Sequence, residues 1–270
     1  MNRSVFKMAA LSMVLALPLT AHAHKMWLLP SATSVAGADP WVTVDAAVSN
    51  DLFFPDHFPG SLDRLVITGP DGQPVKPDNA STGKYRSTFD VHLVQQGTYK
   101  IAMVNAGVFA SYELNGEKKR WRGNAADMAK ELPAGAKNVE VTESLNRVET
   151  FVSNGKPNDV ALKTTGDGIE LVPVTKVNDL VSGEAATFQL LLDGQPAADL
   201  KVTAIAGGVR YRNAPEEVEA TTGADGKFTL RWPHPGMYWV NANTQDAKTQ
   251  VKQASQRRVA YSATLEVLPE

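Results

Sequence analysis

Short runs of β-forming residues, each closed by a turn signal, constrain the fold of this chain more than any other feature. Residues 41–48 are rich in β-branched side chains, and residues 65–67 lead directly into the turn sequence Gly-Pro-Asp-Gly at 69–72. Only residues 124–132 carry apolar side chains at helical spacing, and Pro133 then ends the helix. We therefore predict an all-β fold of antiparallel sandwiches, immunoglobulin-like or transthyretin-like, with a short helix in a long insertion.

The sequence also contains an internal repeat. Residues 89–99 can be laid on residues 228–238 without a gap, at a constant offset of 139 positions. In both segments an aromatic residue opens a strand, a turn ends in glycine, and a tyrosine begins the return strand. The tetrapeptide Asp-Gly-Gln-Pro likewise occurs at 71–74 and at 193–196. The repeat favours two related sandwich domains, although β-hairpins also resemble one another by chance.

Polar, turn-rich segments divide the chain into these two domains. The candidates for the boundary are residues 153–159 and residues 164–168. We predict an N-terminal β-sandwich over residues 24–160, with an irregular segment at 107–149, and a C-terminal β-sandwich over residues 161–270.

The first 23 residues have the pattern of a signal peptide. Arg3 and Lys7 precede an apolar run at 8–19, and Ala21-His22-Ala23 supplies small residues at the −3 and −1 positions of a cleavage site. The run is shorter than the ~20 residues needed to cross a bilayer, although a retained signal anchor is the alternative. We predict export to the periplasm, a mature chain that begins at His24, and no membrane span after cleavage.

Charge and cysteine content narrow the possible partners. The formal net charge is −2, and loss of residues 1–23 removes Arg3 and Lys7 but no acid, which makes it −4. This balance argues against nucleic acid as a partner, because nucleic-acid binders usually carry a basic patch and a high pI. The chain has no cysteine, so a bound metal ion must be held by nitrogen and oxygen ligands.

His24 is the first candidate ligand because cleavage would leave it at the amino terminus. The free α-amine and the imidazole of one residue then chelate the same ion, and one more imidazole completes a three-nitrogen set. Such nitrogen-rich, open sites suit Cu(II) or Ni(II), which favour square-planar or tetragonal geometry. A histidine left at this position by accident is the alternative.

His57 is the predicted second ligand. It lies in an aromatic, proline-containing loop at residues 50–60, which could hold its ring in place. The adjacent Asp56 could bind the ion directly or orient the imidazole. A histidine packed on the loop surface explains the sequence equally well.

His92 and His234 are reserve candidates for the metal site. His92 alternates with Asp90 on a predicted strand, so both side chains face the same way. His234 lies in the turn Trp-Pro-His-Pro-Gly at 232–236. A surface hydrogen bond for His92 and solvent exposure for His234 are the alternatives.

Motifs for other chemistry are missing from the sequence. It contains no Gly-x-Ser-x-Gly, no phosphate-binding glycine loop and no His-Glu-x-x-His, so we do not expect an enzyme. The basic run at 117–122 could bind an anion or a partner around Trp121, but such runs are more often solvated faces.

The segment His-Lys-Met-Trp-Leu-Leu-Pro-Ser at 24–31 resembles the opening of the NikM-like periplasmic domain family, which is found beside nickel and cobalt uptake systems and outer-membrane receptors. The resemblance continues through residues 48–53, 222–228 and 235–238, and the Gly-x-Tyr hairpins are shared with transthyretin-like and carboxypeptidase-regulatory-like modules. It implies two sandwich domains and a periplasmic role in metal uptake. Of the family's functional positions, only the amino-terminal histidine transfers, to His24.

Three hypotheses follow. The first is a periplasmic protein that binds or delivers a divalent transition metal, nickel or cobalt before copper, to an inner-membrane metal transporter or an outer-membrane receptor. The second is a scaffold or interaction module that binds no metal. The third is an oxidative copper enzyme, since an N-terminal histidine also builds the copper site of lytic polysaccharide monooxygenases; beyond that residue the sequence does not resemble them.

Overall fold

A computed structural model describes residues 24–270, so the predicted signal peptide lies outside the described residues. Strands dominate the fold, and α1 (Ala125–Glu131) is its α-helix within this range. In chain order the strands are β1 (Lys25–Pro30), β2 (Ser34–Val35), β3 (Trp41–Ser49), β4 (Phe58–Pro59), β5 (Leu65–Thr68), β6 (Pro74–Val75), β7 (Asp78–Thr82), β8 (Ser87–His92), β9 (Gly97–Leu114), β10 (Glu117–Gly123), β11 (Lys137–Asn154), β12 (Ile169–Pro173), β13 (Ala185–Leu192), β14 (Gln195–Pro196), β15 (Lys201–Ala206), β16 (Val218–Thr221), β17 (Lys227–Arg231), β18 (Gly236–Asp246) and β19 (Gln256–Val267).

The strands form three sheets. A five-stranded sheet has the order β1-β3-β8-β7, with β4 paired to β3, and a four-stranded sheet has the order β12-β13-β14, with β17 paired to β13. A ten-stranded sheet runs β16-β15-β18-β19-β11-β9-β5-β6, with β10 paired to β9 and β2 paired to β11. The prediction of a mostly β fold with several sheets is confirmed.

The two smaller sheets pack on opposite faces of the ten-stranded sheet. On β11, Val148 and Val152 belong to the core under the five-stranded sheet, whereas Phe151 belongs to the core under the four-stranded sheet. Side chains alternate between faces along a strand, so these residues point to opposite sides. Each core holds a large aromatic that is fully buried, Phe89 in the first and Trp232 in the second.

The ten-stranded sheet crosses the predicted domain boundary. The last strand of the chain, β19, pairs in parallel with β11 over nine positions, from Thr142↔Gln256 to Thr150↔Thr264. One continuous sheet therefore contains strands from both predicted sandwiches. The division into two β-sandwich domains at residues 24–160 and 161–270 stays a prediction.

Residues 107–149 are regular, in contrast to the irregular segment expected from the sequence. The far halves of β9 and β11 extend beyond the first core and, with β10, form a three-stranded arm. Helix α1 packs on this arm through Met128, and Asn124 caps the helix by accepting a hydrogen bond from the Asp127 N–H. The strand pattern was hidden because most β10 side chains are exposed charges, so hydrophobic alternation is weak there.

The internal repeat has the same geometry in both copies. The Tyr99 hydroxyl donates to the carbonyl of Gln95 at 3.1 Å and accepts from its N–H at 2.8 Å. The Tyr238 hydroxyl makes the same two contacts with His234, at 2.9 and 3.3 Å. These are tyrosine corners of the kind found in immunoglobulin-like sandwiches. The glycine two residues before each tyrosine has a positive φ, as the shared turn requires.

Arg257 joins three elements of the second half. Its guanidinium is almost fully buried and bonds the carboxylates of Asp193, in the turn after β13, and Asp246, at the end of β18. These hydrogen bonds are the main cause that lowers the pKa of both carboxyls. The clamp ties the edge of the four-stranded sheet to the ten-stranded sheet.

Candidate functional site

The imidazoles of His24 and His57 lie side by side. Their rings stack with centroids 3.8 Å apart and an angle of 22° between the planes, and Phe58 flanks both. Both histidines are solvent-exposed. The structure therefore brings together the two residues predicted as first and second metal ligands, which are 33 positions apart.

The sheet register explains why they meet. Strands β1 and β4 pair with opposite edges of β3, and Met26 and Phe58 both lie opposite Val48. His24 immediately precedes β1 and His57 immediately precedes β4, so both imidazoles leave the same end of the five-stranded sheet.

Two cavities meet at His24, one on each side of β1. They have volumes of about 660 and 1090 Å³ and share five lining residues. We call their union the His24 groove. The shared residues are His24, Met26, Phe109, Ser144 and Asn146. An opening of this size takes a small molecule rather than a single ion.

Amides form the floor of the His24 groove. Asn105, Asn146, Ala260 and Asn243 lie directly opposite one another on β9, β11, β19 and β18, so they face the same side of the ten-stranded sheet. The Asn105 and Asn146 amides donate to the Met26 sulfur at 3.7 and 4.0 Å. Strand β1 covers the neighbouring part of this face, and Asn105 and Asn146 are half-buried where β1 begins.

Asp56 has a structural partner in the loop that carries His57. Its carboxylate accepts a hydrogen bond from the backbone N–H of Asn50 at 3.0 Å, which closes the loop at 50–56. A role in orienting His57 stays a prediction.

His92 lies in a separate cluster. Its ring stacks on Trp41 with centroids 4.1 Å apart, and its Nε2 is hydrogen-bonded to Asp39. Asp90, its expected neighbour, instead accepts from Thr43 and Asn79, and these hydrogen bonds lower the Asp90 pKa. The partner of His92 therefore comes from the loop before β3, not from its own strand.

His234 lies in the turn before β18 and lines a third, smaller cavity. Its backbone is held by the tyrosine corner, while its side chain is exposed. Neither His92 nor His234 lines the His24 groove.

Few side chains that can bind a metal ion lie close together in the described part of the chain. Within residues 24–270, no three histidine, aspartate or glutamate side chains converge as a metal site would require. His24 and His57 give two nitrogens, and the α-amine of a chain that begins at His24 gives a third. One ring must rotate for both imidazoles to reach one ion, since stacked rings do not aim their nitrogens at a common point.

The sequence did not indicate that several residues which line the His24 groove belong to a site. Met26, Asn105 and Asn146 are single residues within strands, and only the register places them beside His24. Arg122 was noted as part of the basic run, and it lies over the Phe109 ring at 5.2 Å in the groove wall. Trp121, on the other face of β10, donates to Glu131 of α1, so its indole supports the arm.

The family described as "Domain of unknown function (DUF4198)" matches residues 21–246. Among curated proteins, none matches the sequence. The D0-D1 domain of intimin is 13% identical over 89% of this chain and 97% of its own, with a TM-score of 0.22. An ICAM-5 D1-D4 fragment is 11% identical over 91% of this chain and 51% of its own, with a TM-score of 0.21. No helix within residues 24–270 is long and apolar enough to cross a membrane.

Proposed function

Because the chain belongs to the DUF4198 domain family, which has no known function, we propose its role from the His24 groove: an exported protein that binds a divalent transition metal through His24 and His57 and delivers it during metal uptake. The observation that carries this proposal is the pair of adjacent, exposed imidazoles at 3.8 Å. The resemblance of residues 24–31 to NikM-like periplasmic domains supports nickel or cobalt as cargo, with copper next, and an uptake transporter or receptor as partner.

The ligand chemistry supports the same cargo. Two imidazoles and an α-amine form a set of three nitrogens, which suits Ni(II) and Cu(II) better than oxygen-seeking Mg²⁺ or Ca²⁺. Thiolates are excluded because the chain has no cysteine. The processed amino terminus is central to this proposal, since only cleavage before His24 frees the amine.

Calorimetric titration with Ni(II), Co(II) and Cu(II) tests the proposal. The protein is prepared with His24 as first residue, verified by mass spectrometry, and compared with the same protein whose α-amine has been acetylated. We expect acetylation to weaken binding more than about 100-fold, because it removes a ligand outright, and the loss of a residue that only supports a ligand already weakens affinity by about 10- to 100-fold.

Two matched variants locate the second ligand. His57→Phe keeps an aromatic ring against His24 but removes the nitrogens, so affinity should fall. His92→Phe keeps a ring on Trp41 and serves as the control, with affinity unchanged. Tight binding that survives both acetylation of the α-amine and His57→Phe rejects the proposed site.

An exposed aromatic patch favours the interaction module as a second candidate function. Tyr211 is 85% exposed and Phe54 is 40% exposed, and the Arg210 guanidinium lies 4.0 Å from the Phe54 ring centroid. Tyrosine and arginine are enriched among residues that dominate protein interfaces. Capture of a partner that resists chelators and is lost in Tyr211→Ala supports this candidate; capture that requires metal argues against it.

A further inference from the structure

The His24 groove is positively charged. Its lining contains four basic side chains, which are Lys25, Arg64, Arg122 and Arg258, and a single acid, Glu217. This excess of positive charge contrasts with the net −4 formal charge of the chain from His24 onward.

None of the four cations is neutralised by a carboxylate within the described part of the chain. Arg122 lies over Phe109, the Arg258 Nε donates to Gln245 at 3.3 Å, and the Lys25 ammonium has only a 3.5 Å contact with the carbonyl of Asn50. Their donors are therefore available to a ligand.

This charge is unsuited to a bare divalent cation. Cavities lined by one sign of charge concentrate ions of the opposite sign and deplete ions of the same sign. Metal sites usually offset the charge of the ion with carboxylates, but no acid lines the cavity between His24 and Arg122. The protein also offers at most three nitrogens, which leaves coordination positions for another molecule.

We propose that the His24 groove takes its metal ion as an anionic chelate, in which a small polycarboxylate already holds the ion. This inference rests on the proposed function and specifies the chemical form in which the metal ion is bound. The ion contacts His24, which lines both cavities, and His57, which lies beside the groove against the His24 ring. The arginines bind the carboxylates of the chelator, and the amides of Asn105 and Asn146 bind its remaining oxygens. Guanidinium groups suit this role because their paired N–H donors match the two oxygens of a carboxylate.

Citrate is the probe, since its one-to-one complex with Ni(II) keeps a net negative charge. Protein that begins at His24 is titrated with Ni(II)–citrate, with aqueous Ni(II) and with citrate alone. We expect Ni(II)–citrate to bind at least about tenfold tighter than either component, and its affinity to fall as salt increases.

Arginine variants give the decisive comparison. Arg64→Gln and Arg122→Gln should each weaken Ni(II)–citrate binding about threefold, and the double variant about tenfold, as expected for partly exposed ion pairs. Binding of aqueous Ni(II) should stay equal or strengthen. Lys84→Gln is the charge-matched control, since Lys84 lies over Tyr85 outside the groove.

The outcomes separate this inference from the proposed function. Equal binding of aqueous Ni(II) and Ni(II)–citrate, unaffected by the arginine variants, overturns the inference and leaves the His24–His57 metal site standing. Citrate that binds as tightly without nickel also overturns the inference, because the ion then contributes nothing. Absence of nickel binding in either form rejects the metal site itself.

Discussion

The two tyrosine corners allow a quantitative prediction of how much each one contributes to the free energy of unfolding. In Tyr99→Phe the aromatic ring stays buried, but the backbone N–H and carbonyl of Gln95 lose a hydroxyl partner. Each lost hydrogen bond contributes about 0.5–1.5 kcal/mol. Gln95 is exposed to water, and Asn154 contacts its carbonyl at 3.5 Å, so part of the loss is recovered. We expect a destabilisation of about 1.5 kcal/mol.

The second corner should be weaker. The His234 N–H lies 3.3 Å from the Tyr238 hydroxyl, compared with 2.8 Å for Gln95 and Tyr99, so this contact contributes less. We expect Tyr238→Phe to lower the free energy of unfolding by about 1 kcal/mol. The corners belong to different cores, so their effects should add to about 2.5 kcal/mol in the double variant.

Urea unfolding followed by tryptophan fluorescence measures these differences. Tyr85→Phe is the control, because that ring is 44% exposed and its hydroxyl makes no hydrogen bond within the described residues, so it should be neutral. A change below about 0.3 kcal/mol for Tyr99→Phe shows that the corner is not stabilising. A double variant that departs from the sum by more than about 0.5 kcal/mol shows that the corners are coupled.

Two further predictions concern the stability of the C-terminal half of the chain. The lowered pKa of Asp193 and Asp246 contributes stability that is present above their unfolded pKa, near 3.8, and lost as pH falls through the folded value. Arg257→Met should therefore cost about 2 kcal/mol in urea unfolding at pH 7, with a smaller difference at pH 3; a constant difference contradicts this assignment. Gly226→Ala should cost about 3 kcal/mol or more, because φ is 75° and a Cβ would lie 2.5 Å from a backbone oxygen. Gly166→Ala, at φ 82° in open space, should cost about 1 kcal/mol, and equal melting temperatures for the two variants would count against steric conflict at Gly226.

The features that the sequence revealed are those with strong local chemistry. The repeat was visible because glycine and tyrosine recur at fixed spacing, and the turn and the hydroxyl contact both depend on those residue types. Helix α1 was visible because Asn124 and Pro133 bracket a helical pattern, and it lies where the sequence predicted it. The strands of the arm formed by β9, β10 and β11 were not predicted. Strand prediction depends on hydrophobic alternation, which β10 lacks because most of its side chains are exposed charges.

The candidate site was predictable only in part. The chemistry of an amino-terminal histidine pointed to His24, and the stiff aromatic loop pointed to His57. The two histidines meet because β1 and β4 pair with opposite edges of β3. This pairing depends on the register of the sheet, which the sequence pattern does not show. Of the groove arginines, the sequence indicated only Arg122, as part of a basic run. Arg64 and Arg258 carried no signal, because the three residues come from separate segments that only the fold places along one groove.

The parallel pairing of β11 with β19 also bears on how the chain reaches its final form. During synthesis β11 is complete long before β19 is made, since Thr150 waits for Thr264, 114 positions later. Until then this edge of β11 has no strand beside residues 142–150, because β2 pairs only with residues 153–154, and open strand edges are templates for association with other chains. Contacts so distant in sequence also slow folding, because the intervening chain must first be ordered. The final strand, β19, thus joins β18 to β11 within the ten-stranded sheet. A chain truncated before residue 256 should therefore aggregate, even though it contains both His24 and His57.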